Sequence, residues 1–281
     1  MPQMSRSPRT LTDPRAERQI GPRRIVSLVP SITETLCEFG LARNIVGVTD
    51  YCVSPARALR GKARVGGPMN PAIKKILSLK PDIVFASDEE NRRRDVAALA
   101  RRGIHVYVAR VRRVEDAIAM MRDFAAIWPR LAKPRAIIRE TESLLKNKGV
   151  RPLPSLRSSL ASDPRLTRVA YLIWKNPYMT CGDDTYISRL MEACGGENVF
   201  RRRARYFALT LDDLARAKPN LVLLSTEPYR FQRKDCIEIA AGLRKRGLKN
   251  CRARIADGEM LAWYGARTRD ALRKLPALLR L

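Results

Sequence analysis

The chain has 281 residues, which is enough for two domains that each bury a core of their own. It is 45% hydrophobic and 6% aromatic, a composition typical of a folded globular protein rather than a disordered or fibrous one. It contains no run of about 18 uncharged apolar residues, so the sequence predicts no membrane span. The net charge of +27 indicates attraction to anionic ligands, lipids or nucleic acid without choosing among them.

The first 23 residues form a polar, arginine-rich segment broken by prolines, and we predict a disordered basic tail there. The segment has no apolar stretch ahead of a small-residue cleavage site, as a signal peptide would have. We therefore expect a cytoplasmic protein, with a periplasmic location as the alternative if the natural N-terminus differs. Six scattered cysteines without a C-x-x-C pair, and a single histidine, predict reduced thiols and no zinc cluster.

The first half of the chain is predicted to alternate strands with helices. RIVSLVPS is the opening strand, and the spacing of Ser31 and Glu34 predicts a capping box for a helix that runs to about Phe39 and ends at Gly40. LKPDIVFASDE is a second buried strand. Further strands are expected near 45–49 and 104–109, and helices near 70–79 and 91–102.

Two helical segments connect the halves of the chain. The first begins at about Val114, and the second covers about Arg130–Lys146, with Pro129 and Pro134 dividing or bending the pair. A helical connection is stiffer than a Gly/Ser linker, so it disfavours large movements of the two halves. Residues 149–166, rich in proline and serine, are predicted to form a surface connection.

The second half of the chain repeats the plan of the first. It opens with the strand RVAYLIWKNP and reaches the strand AKPNLVLLSTE through the same Lys-Pro step. A further strand is expected near 252–256, and helices near 183–194, 210–217, 232–246 and 266–279. Strands that alternate with helices imply right-handed βαβ units. We therefore predict an α/β fold with mostly parallel sheets in two lobes, residues 24–127 and 167–281, joined by a linker over 128–166.

Candidate binding residues follow from the rule that ligands of open parallel sheets bind beyond the carboxyl ends of the strands. The non-aromatic candidates at these ends are Pro30, Ser31, Glu89, Asn91, Glu227 and Glu259. Because Ser87-x-Glu89 and Ser225-x-Glu227 end equivalent strands, the two glutamates are expected to face one another and to grip a metal or a cationic group. The alternative is that each glutamate caps the next helix and pairs with an arginine.

The few aromatic residues fall at predicted strand ends and loops. The candidates are Tyr51, Trp174, Tyr178, Tyr206, Trp263 and Tyr264. Flat rings at such positions can stack on a large planar ligand. The alternative is that individual rings fill the edges of the lobes. Trp263 and Tyr264 make the strongest case for a ligand, since two adjacent aromatics of exposed type before a glycine serve packing poorly.

Enzyme motifs are missing from the sequence, which has no G-x-S-x-G, no P-loop and no G-x-G-x-x-G. His105 lies inside a strand-like run, where we expect it to be packed. We therefore predict a binding protein without catalytic residues. One alternative is a metal-dependent hydrolase built on Asp183-Asp184 or Glu89-Glu90, with metal ligands unspecified. Another is a basic scaffold for nucleic acid or an acidic partner, although its arginine clusters lack the interleaved aromatics of an RNA-binding sheet.

Four segments carry a family resemblance: RIVSLVPSITETLCEFGL, VGVTDYC, VGGPMNPAIKKILSLKPDIVFAS and MEACGGENVF. They resemble the helical-backbone metal receptor superfamily, to which periplasmic cobalamin-binding and ferric-siderophore-binding proteins belong, and in particular a subgroup without an export signal. The resemblance implies a class III periplasmic-binding-protein fold, with two Rossmann-like lobes joined by a long helix. It also implies no intrinsic cofactor and a ligand between the lobes: a corrinoid such as cobalamin, an iron-siderophore or another metal chelate.

The resemblance also assigns roles to single residues. By motif position, Tyr51 and Tyr178 match aromatics that line the pocket of cobalamin binders, and Tyr206 falls where a tryptophan packs on the ligand. A further tryptophan of the family is replaced here by Gly66 or Gly67. The aromatic lining expected of a cobalamin site is therefore present only in part.

A partnership with an ABC permease is also implied by the resemblance. In exported members, an acidic residue on each lobe docks onto arginines of the permease. The second-lobe position is Asp212 here, whereas the first-lobe position is Lys74, so one docking charge is inverted. Together with the missing export signal, this inversion argues against conventional import and for work inside the cell.

Overall fold

The computed structural model describes residues 21–147 and 166–281 of the chain. Residues 1–20 of the predicted basic tail and 149–165 of the predicted surface connection lie outside these ranges. Within the described ranges, no helix is both long enough and apolar enough to span a membrane.

The first lobe is built on a parallel sheet flanked by helices. Its elements are, in chain order, β1 (Ile25–Ser27), α1 (Pro30–Glu38), β2 (Ile45–Val48), α2 (Ala56–Leu59), β3 (Ala63–Arg64), β4 (Gly66–Gly67), β5 (Asn70–Pro71), α3 (Ile73–Ser78), β6 (Ile83–Ser87), α4 (Arg93–Ala100) and β7 (His105–Ala109). The sheet has the order β3-β2-β1-β6-β7, and every pair in it is parallel. Parallel strands bring their carboxyl ends to one edge of the sheet, so the loops that follow β1, β2 and β6 meet there.

Two helices, α5 (Val114–Ile127) and α6 (Ala132–Asn147), lead out of the first lobe. They confirm the predicted helical connection, and Pro129 falls in the turn between them. Pro134 lies in the first turn of α6, where a missing backbone N–H breaks no helical hydrogen bond.

The second lobe carries a mixed sheet. Its elements are β8 (Thr167–Trp174), β9 (Tyr178–Cys181), α7 (Tyr186–Ala193), β10 (Gly196–Asn198), β11 (Tyr206–Leu209), α8 (Leu211–Ala217), β12 (Leu221–Ser225), α9 (Arg233–Lys245), β13 (Arg252–Ala256), α10 (Gly258–Ala262) and α11 (Thr268–Leu279). The order β11-β9-β8-β12-β13 combines the parallel strands β8, β12 and β13 with antiparallel β9 and β11, and β10 pairs in parallel with β8. The predicted long strands and helices are confirmed, whereas the short strands β9, β10 and β11 were not anticipated.

Two local predictions in the first lobe are wrong. Ser31 does not cap α1: the helix begins at Pro30, after Val29 in an extended conformation, and no side chain caps it. Proline at the first helical position has its φ already set and needs no hydrogen bond for its nitrogen, so it starts the helix one residue early. Gly40, with φ of 91°, follows the helix end as predicted. His105, expected to be packed, is exposed at the start of β7.

The internal repeat extends to single hydrogen bonds. The guanidinium of Arg24 donates from Nε to the carbonyl of Lys80 at 3.2 Å, and Arg168 donates from Nε to the carbonyl of Lys218 at 3.1 Å. Both lysines precede a proline and adopt the left-handed conformation, with φ of 45° and 49°. The Lys-Pro step is therefore the same structural turn in both lobes, and in each lobe an arginine at the start of the first strand fixes it.

A single hydrophobic cluster runs through both lobes and the helices between them. It includes Leu36 of α1, Met121 of α5, Ile138 of α6 and Leu272 of α11. Burial of apolar side chains from all these elements in one cluster ties the relative position of the lobes to the stability of the core. The exact domain boundaries at 24–127, 128–166 and 167–281 remain predictions.

The lobes approach one another closely at Gly265, just before α11. Its φ is 95°, and a β-carbon there would collide with the hydroxyl of Thr35 on α1. The next residue, Ala266, donates its backbone N–H to that same hydroxyl oxygen at 3.0 Å. Only glycine satisfies both the conformation and the close approach.

We expect Gly265→Ala to lower the free energy of unfolding by about 2 kcal/mol, because it adds a steric collision between lobes to an unfavourable φ. Urea denaturation measures the effect. The matched control is Gly103→Ala: its φ is 78°, but no atom lies within 4 Å of the added carbon. Equal losses in the two variants would show that the contact with Thr35 contributes nothing.

Candidate functional site

The strand ends of both lobes meet in a groove whose floor starts at two matching turns. After β6, the backbone N–H of Glu89 donates to the hydroxyl of Ser87 at 3.1 Å, and after β12, that of Glu227 donates to Ser225 at 3.1 Å. Tyr171 on β8 donates its hydroxyl proton to Ser225 at 2.7 Å and holds the second turn from beneath. The Ser-x-Glu repeat therefore encodes one turn, used once in each lobe.

Glu89 is held by arginines from both lobes. One carboxylate oxygen lies 3.0 Å from Nη1 of Arg112 in its own lobe and 3.7 Å from Nη1 of Arg205 in the other. Burial raises the pKa of this carboxyl, and the nearby Arg112 opposes that rise. The arrangement favours the arginine-pairing interpretation of Glu89 over a ligand role.

Glu227 is placed differently, because one of its carboxylate oxygens has no partner. Oε1 accepts a long hydrogen bond of 3.4 Å from the indole N–H of Trp263, while Oε2 is buried without a hydrogen bond in the described structure. Burial raises the pKa of the carboxyl, and Trp263 opposes the rise. Gly258 packs behind this turn, where a β-carbon would lie 2.6 Å from the backbone nitrogen of Glu227.

Glu90, which the sequence suggested only as part of an alternative hydrolase site, adds a third carboxyl group to this acidic floor. Burial, together with the negative charges of Glu89 and Glu227, raises its pKa to about 8. The negative charge of Glu227 thus acts on Glu90 as well, and the face-to-face pairing of Glu89 and Glu227 stays a prediction. Glu89 and Glu90 follow one another in the sequence after Asp88. The sequence alone does not distinguish the surroundings of these two side chains.

Trp263 and Tyr264 do not stand in solvent, contrary to the expectation from their sequence. They are only 6% and 4% exposed. The chain leaves α10 at Ala262 and turns at Gly265 against the first lobe, which carries both rings into the interface. Tyr264 packs edge-on against Tyr186 at 5.9 Å between ring centroids.

The hydroxyl of Tyr264 is buried without a hydrogen bond that meets ordinary geometry, as is the hydroxyl of Ser31 on α1. Ser31 and Ser87 of the first lobe both lie close to the Tyr264 hydroxyl. Burial raises the pKa of Tyr264, and the negative charge of Glu90 contributes to the rise. These polar groups therefore share one region with the acidic floor.

Three aromatic side chains remain exposed, as a ligand-stacking role requires. Tyr51 is 66% exposed, Trp174 40% and Tyr206 39%. The ring of Tyr51 lies near Gly67, where an added β-carbon would stand 3.4 Å from the ring, an ordinary contact distance, but would collide with the side-chain oxygen of Asn70. Burial raises the pKa of the Tyr206 hydroxyl, and the negative charge of Glu89 adds to the rise.

The other aromatic candidate, Tyr178, is half-buried and contacts helix α9. Its hydroxyl donates to Oε1 of Glu238 at 3.2 Å, on the side of the second lobe formed by α9. Trp174 leans edge-on against Tyr229, with ring centroids 5.8 Å apart. Trp174 and Tyr178 therefore flank the same end of the second sheet but contact different neighbours.

Several predicted binding residues are engaged in holding the fold. Asn91 accepts from the backbone of Ser87 at 2.8 Å and donates to the carbonyl of Pro68 at 2.9 Å. Glu259 forms an ion pair of 3.1 Å with Arg267. Pro30 is buried at the start of α1. These contacts favour a structural role for all three.

The two predicted docking positions lie on separate helices. Lys74 is exposed on α3, and Asp212 is exposed on α8, where Nε of Arg246 approaches its carboxylate at 2.7 Å. Among residues 21–147 and 166–281, no group of three histidine, cysteine, aspartate or glutamate side chains is arranged to hold a metal ion. The use of Lys74 and Asp212 in docking stays a prediction.

Two α/β lobes joined by helices, with the strand ends of both lobes facing one groove, define a two-lobed ligand-binding protein. Comparison with known proteins supports the assignment to this class of protein. The chain belongs to the periplasmic binding protein family, whose model matches residues 25–234.

The chain is also similar to curated relatives and to solved structures. It is 26% identical over 203 residues to a vitamin B12-binding protein of Vibrio cholerae, covering 72% of this chain and 70% of the relative, and 26% identical over 204 residues to one of Yersinia pestis, covering 72% and 69%. The crystal structure of the periplasmic vitamin B12-binding protein of Vibrio cholerae superposes with a TM-score of 0.72 at 21% identity, over 92% of this chain and 97% of the other. The periplasmic heme-binding protein of that species gives 0.74 at 18%, over 92% and 99%. These structures confirm the class III fold.

The predicted cytoplasmic location is wrong. The family is one of periplasmic binding proteins, and the solved relatives are periplasmic, which points to a periplasmic location instead. The relatives are also binding proteins rather than enzymes. The predicted family resemblance is thereby confirmed, together with its substrate-binding character.

Proposed function

We propose that the protein binds a bulky metal chelate in the groove between its lobes and releases it unchanged. The candidates are a corrinoid such as cobalamin, a heme and a ferric siderophore, in keeping with the ligands in the names of its relatives. The observation that carries the proposal is the set of exposed rings, Tyr51 from the first lobe and Trp174 and Tyr206 from the second. Rings held open at strand ends offer flat apolar area to a large planar ligand.

The contacts between lobes suit a receptor whose groove is formed in advance. Arg205 of the second lobe reaches Glu89 of the first, and Arg267 pairs with Glu34 of α1. A groove formed before binding loses less conformational freedom when the ligand enters. Delivery to an ABC permease completes the proposal, with the surfaces around Lys74 and Asp212 as the docking sites.

Titration of the purified protein with cyanocobalamin, hemin and ferric siderophores tests this function. One of them is expected to shift its absorption spectrum and to raise the melting temperature, because a ligand that binds only the native state stabilises it by about 2.7 kcal/mol at 100 times its Kd. No response to any of these chelates excludes the ligand class.

Tyr206→Ala is expected to weaken binding of the responding chelate by about tenfold, which is the scale of one lost aromatic contact. Isothermal titration calorimetry measures the change. The matched control is Ile237→Ala on α9, which removes a side chain that is also exposed and apolar but lies outside the groove. Equal affinities of the Tyr206 variant and the unmodified protein would exclude stacking on this ring.

A further inference from the structure

We propose that Arg64 is a positioning residue for Tyr51. Its guanidinium clamps the turn that carries this ring, so that the ring is set before the chelate arrives. The clamped turn consists of residues 49–52 and follows β2 directly. This inference rests on the proposed function and explains how the first lobe holds its exposed ring in the groove.

The first argument is that the Tyr51 side chain does not fix its own position. It is 66% exposed, so most of its surface makes no contact with the protein. One neighbour of the ring is the hairpin of β4 and β5, where a β-carbon added at Gly67 would stand 3.4 Å from Cε2. A mobile side chain loses conformational freedom when a ligand orders it, and this loss weakens binding. The position of the ring therefore depends on how firmly the backbone of the turn is held.

The turn itself is closed by backbone hydrogen bonds. The N–H of Cys52 donates to the carbonyl of Thr49 at 3.1 Å, which puts Asp50 and Tyr51 at the two central positions. The N–H of Asp50 donates to the carbonyl of Gly66 in the neighbouring hairpin at 3.0 Å. Backbone hydrogen bonds at a protein surface open readily, so these bonds alone leave the turn mobile.

Arg64 reaches this turn from the end of β3. Its Nη1 donates to the carbonyl of Thr49 at 3.0 Å and to the carbonyl of Cys52 at 2.8 Å. One nitrogen with two N–H groups therefore bridges the first and the last residue of the turn. Hydrogen bonds from a charged donor are stronger than those between neutral groups, so this bridge is the firmest link across the turn.

A second anchor holds the turn from the inside. The Sγ of Cys52 lies 3.1 Å from the hydroxyl of Thr33 on α1 and 3.1 Å from that of Thr49. Cys52 is fully buried, so this anchor belongs to the core of the lobe. It remains in place when Arg64 is removed. The expected result of that removal is a loosened ring rather than an unfolded lobe.

Calorimetric titration of four proteins with the responding chelate tests the inference: the unmodified protein, Arg64→Ala, Tyr51→Ala and the double variant. Arg64→Ala is expected to weaken binding about fivefold, the scale of ordering one mobile side chain on binding. In the Tyr51→Ala background, the same substitution is expected to change binding by less than about twofold, because the ring that the clamp positions is gone. A general loss of structure, or a direct contact between Arg64 and the ligand, would instead weaken binding equally in both backgrounds.

The matched control is Arg24→Ala. The guanidinium of Arg24 also donates to two backbone carbonyls, those of Leu79 and Lys80, at 2.9 Å and 3.2 Å. It does so ahead of β1, at the edge of the first sheet opposite the groove. The control variant should therefore bind the chelate as the unmodified protein does, whatever it loses in stability.

Hydrogen exchange provides a measurement that needs no ligand. The amide of Cys52 is expected to exchange about tenfold faster in Arg64→Ala than in the unmodified protein, because its bond to Thr49 opens more often. Arg24→Ala should leave this rate unchanged. An unchanged rate in Arg64→Ala would show that the guanidinium does not hold the turn, and the inference would be overturned.

The outcomes separate this inference from the proposed function. If a chelate binds, but Arg64→Ala keeps full affinity or loses it equally in both backgrounds, the positioning role is overturned and the proposed function stands. The same holds if Tyr51→Ala keeps full affinity. If no chelate binds, the proposed function fails and the positioning role falls with it, whatever the exchange rate of the Cys52 amide.

Discussion

Replacing Arg267 with alanine is expected to lower the free energy of unfolding by about 3 kcal/mol, as for the loss of one partner from a buried ion pair. The guanidinium joins the two lobes: it pairs with Glu34 of α1 and, at 3.1 Å, with Glu259 of α10. It also lies over the ring of Trp263, 5.0 Å from the centroid. Its side chain is 18% exposed and that of Glu34 is 14% exposed, so removal leaves the Glu34 carboxylate unpaired with little water to solvate it.

Equilibrium denaturation in urea measures this loss, and Arg246→Ala is the matched control. Arg246 also pairs with a carboxylate, Asp212, but that carboxylate is 60% exposed. Exposed ion pairs contribute at most about 1 kcal/mol, so the control should lose far less than the Arg267 variant. Losses of the same size would mean that the contact between lobes has no special energetic role.

The repeated strands were predictable because their signals are local. Lys80 and Lys218 each precede a proline and a run of β-branched residues, and both sit in the same left-handed turn. Ser87 and Ser225 each accept from the backbone two residues later. The hydrogen bonds of these turns join residues that are close in sequence, so the sequence pattern alone is enough to predict where the turns occur.

The interior of the groove was not predictable, because it depends on contacts between distant parts of the chain. The hydrogen bond from Ala266 to Thr35 joins residues 231 positions apart, and it is this approach that buries Tyr264. Glu89 and Glu90 are equivalent by local pattern, yet Glu89 pairs with arginines, whereas burial raises the pKa of Glu90. Only the assembled lobes distinguish such neighbours.

The same assembly explains how a strongly basic chain keeps acidic side chains at its site. Arginines close to the groove, such as Arg112, Arg205 and Arg267, are each fixed by carboxylates. Their positive charge is therefore balanced locally and does not neutralise Glu90. The pKa of Glu90 is therefore set mainly by its burial and not by the net positive charge of the protein.

The titration of Glu90 gives the second large effect. Burial raises the pKa of this carboxyl to about 8 in the folded protein, from 4.5 as the ordinary value. The folded state then holds a proton that the unfolded chain releases, so stability falls as the pH rises from about 5 to about 8. The groups that face Glu90 are the charges of Glu89 and Glu227 and the polar side chains of Cys52 and Tyr264.

Glu90→Gln removes this proton linkage while keeping the shape of the protonated side chain. The variant should match the unmodified protein at about pH 5 and exceed its free energy of unfolding by about 3 kcal/mol at about pH 8. Urea denaturation at the two pH values measures the difference. Glu115→Gln, at a carboxylate that is 56% exposed, should change stability by less than about 1 kcal/mol at both. If the Glu90 variant and the unmodified protein kept a constant difference in stability between these pH values, Glu90 would be ionised at neutral pH, and the acidic floor would carry a full negative charge even without a ligand.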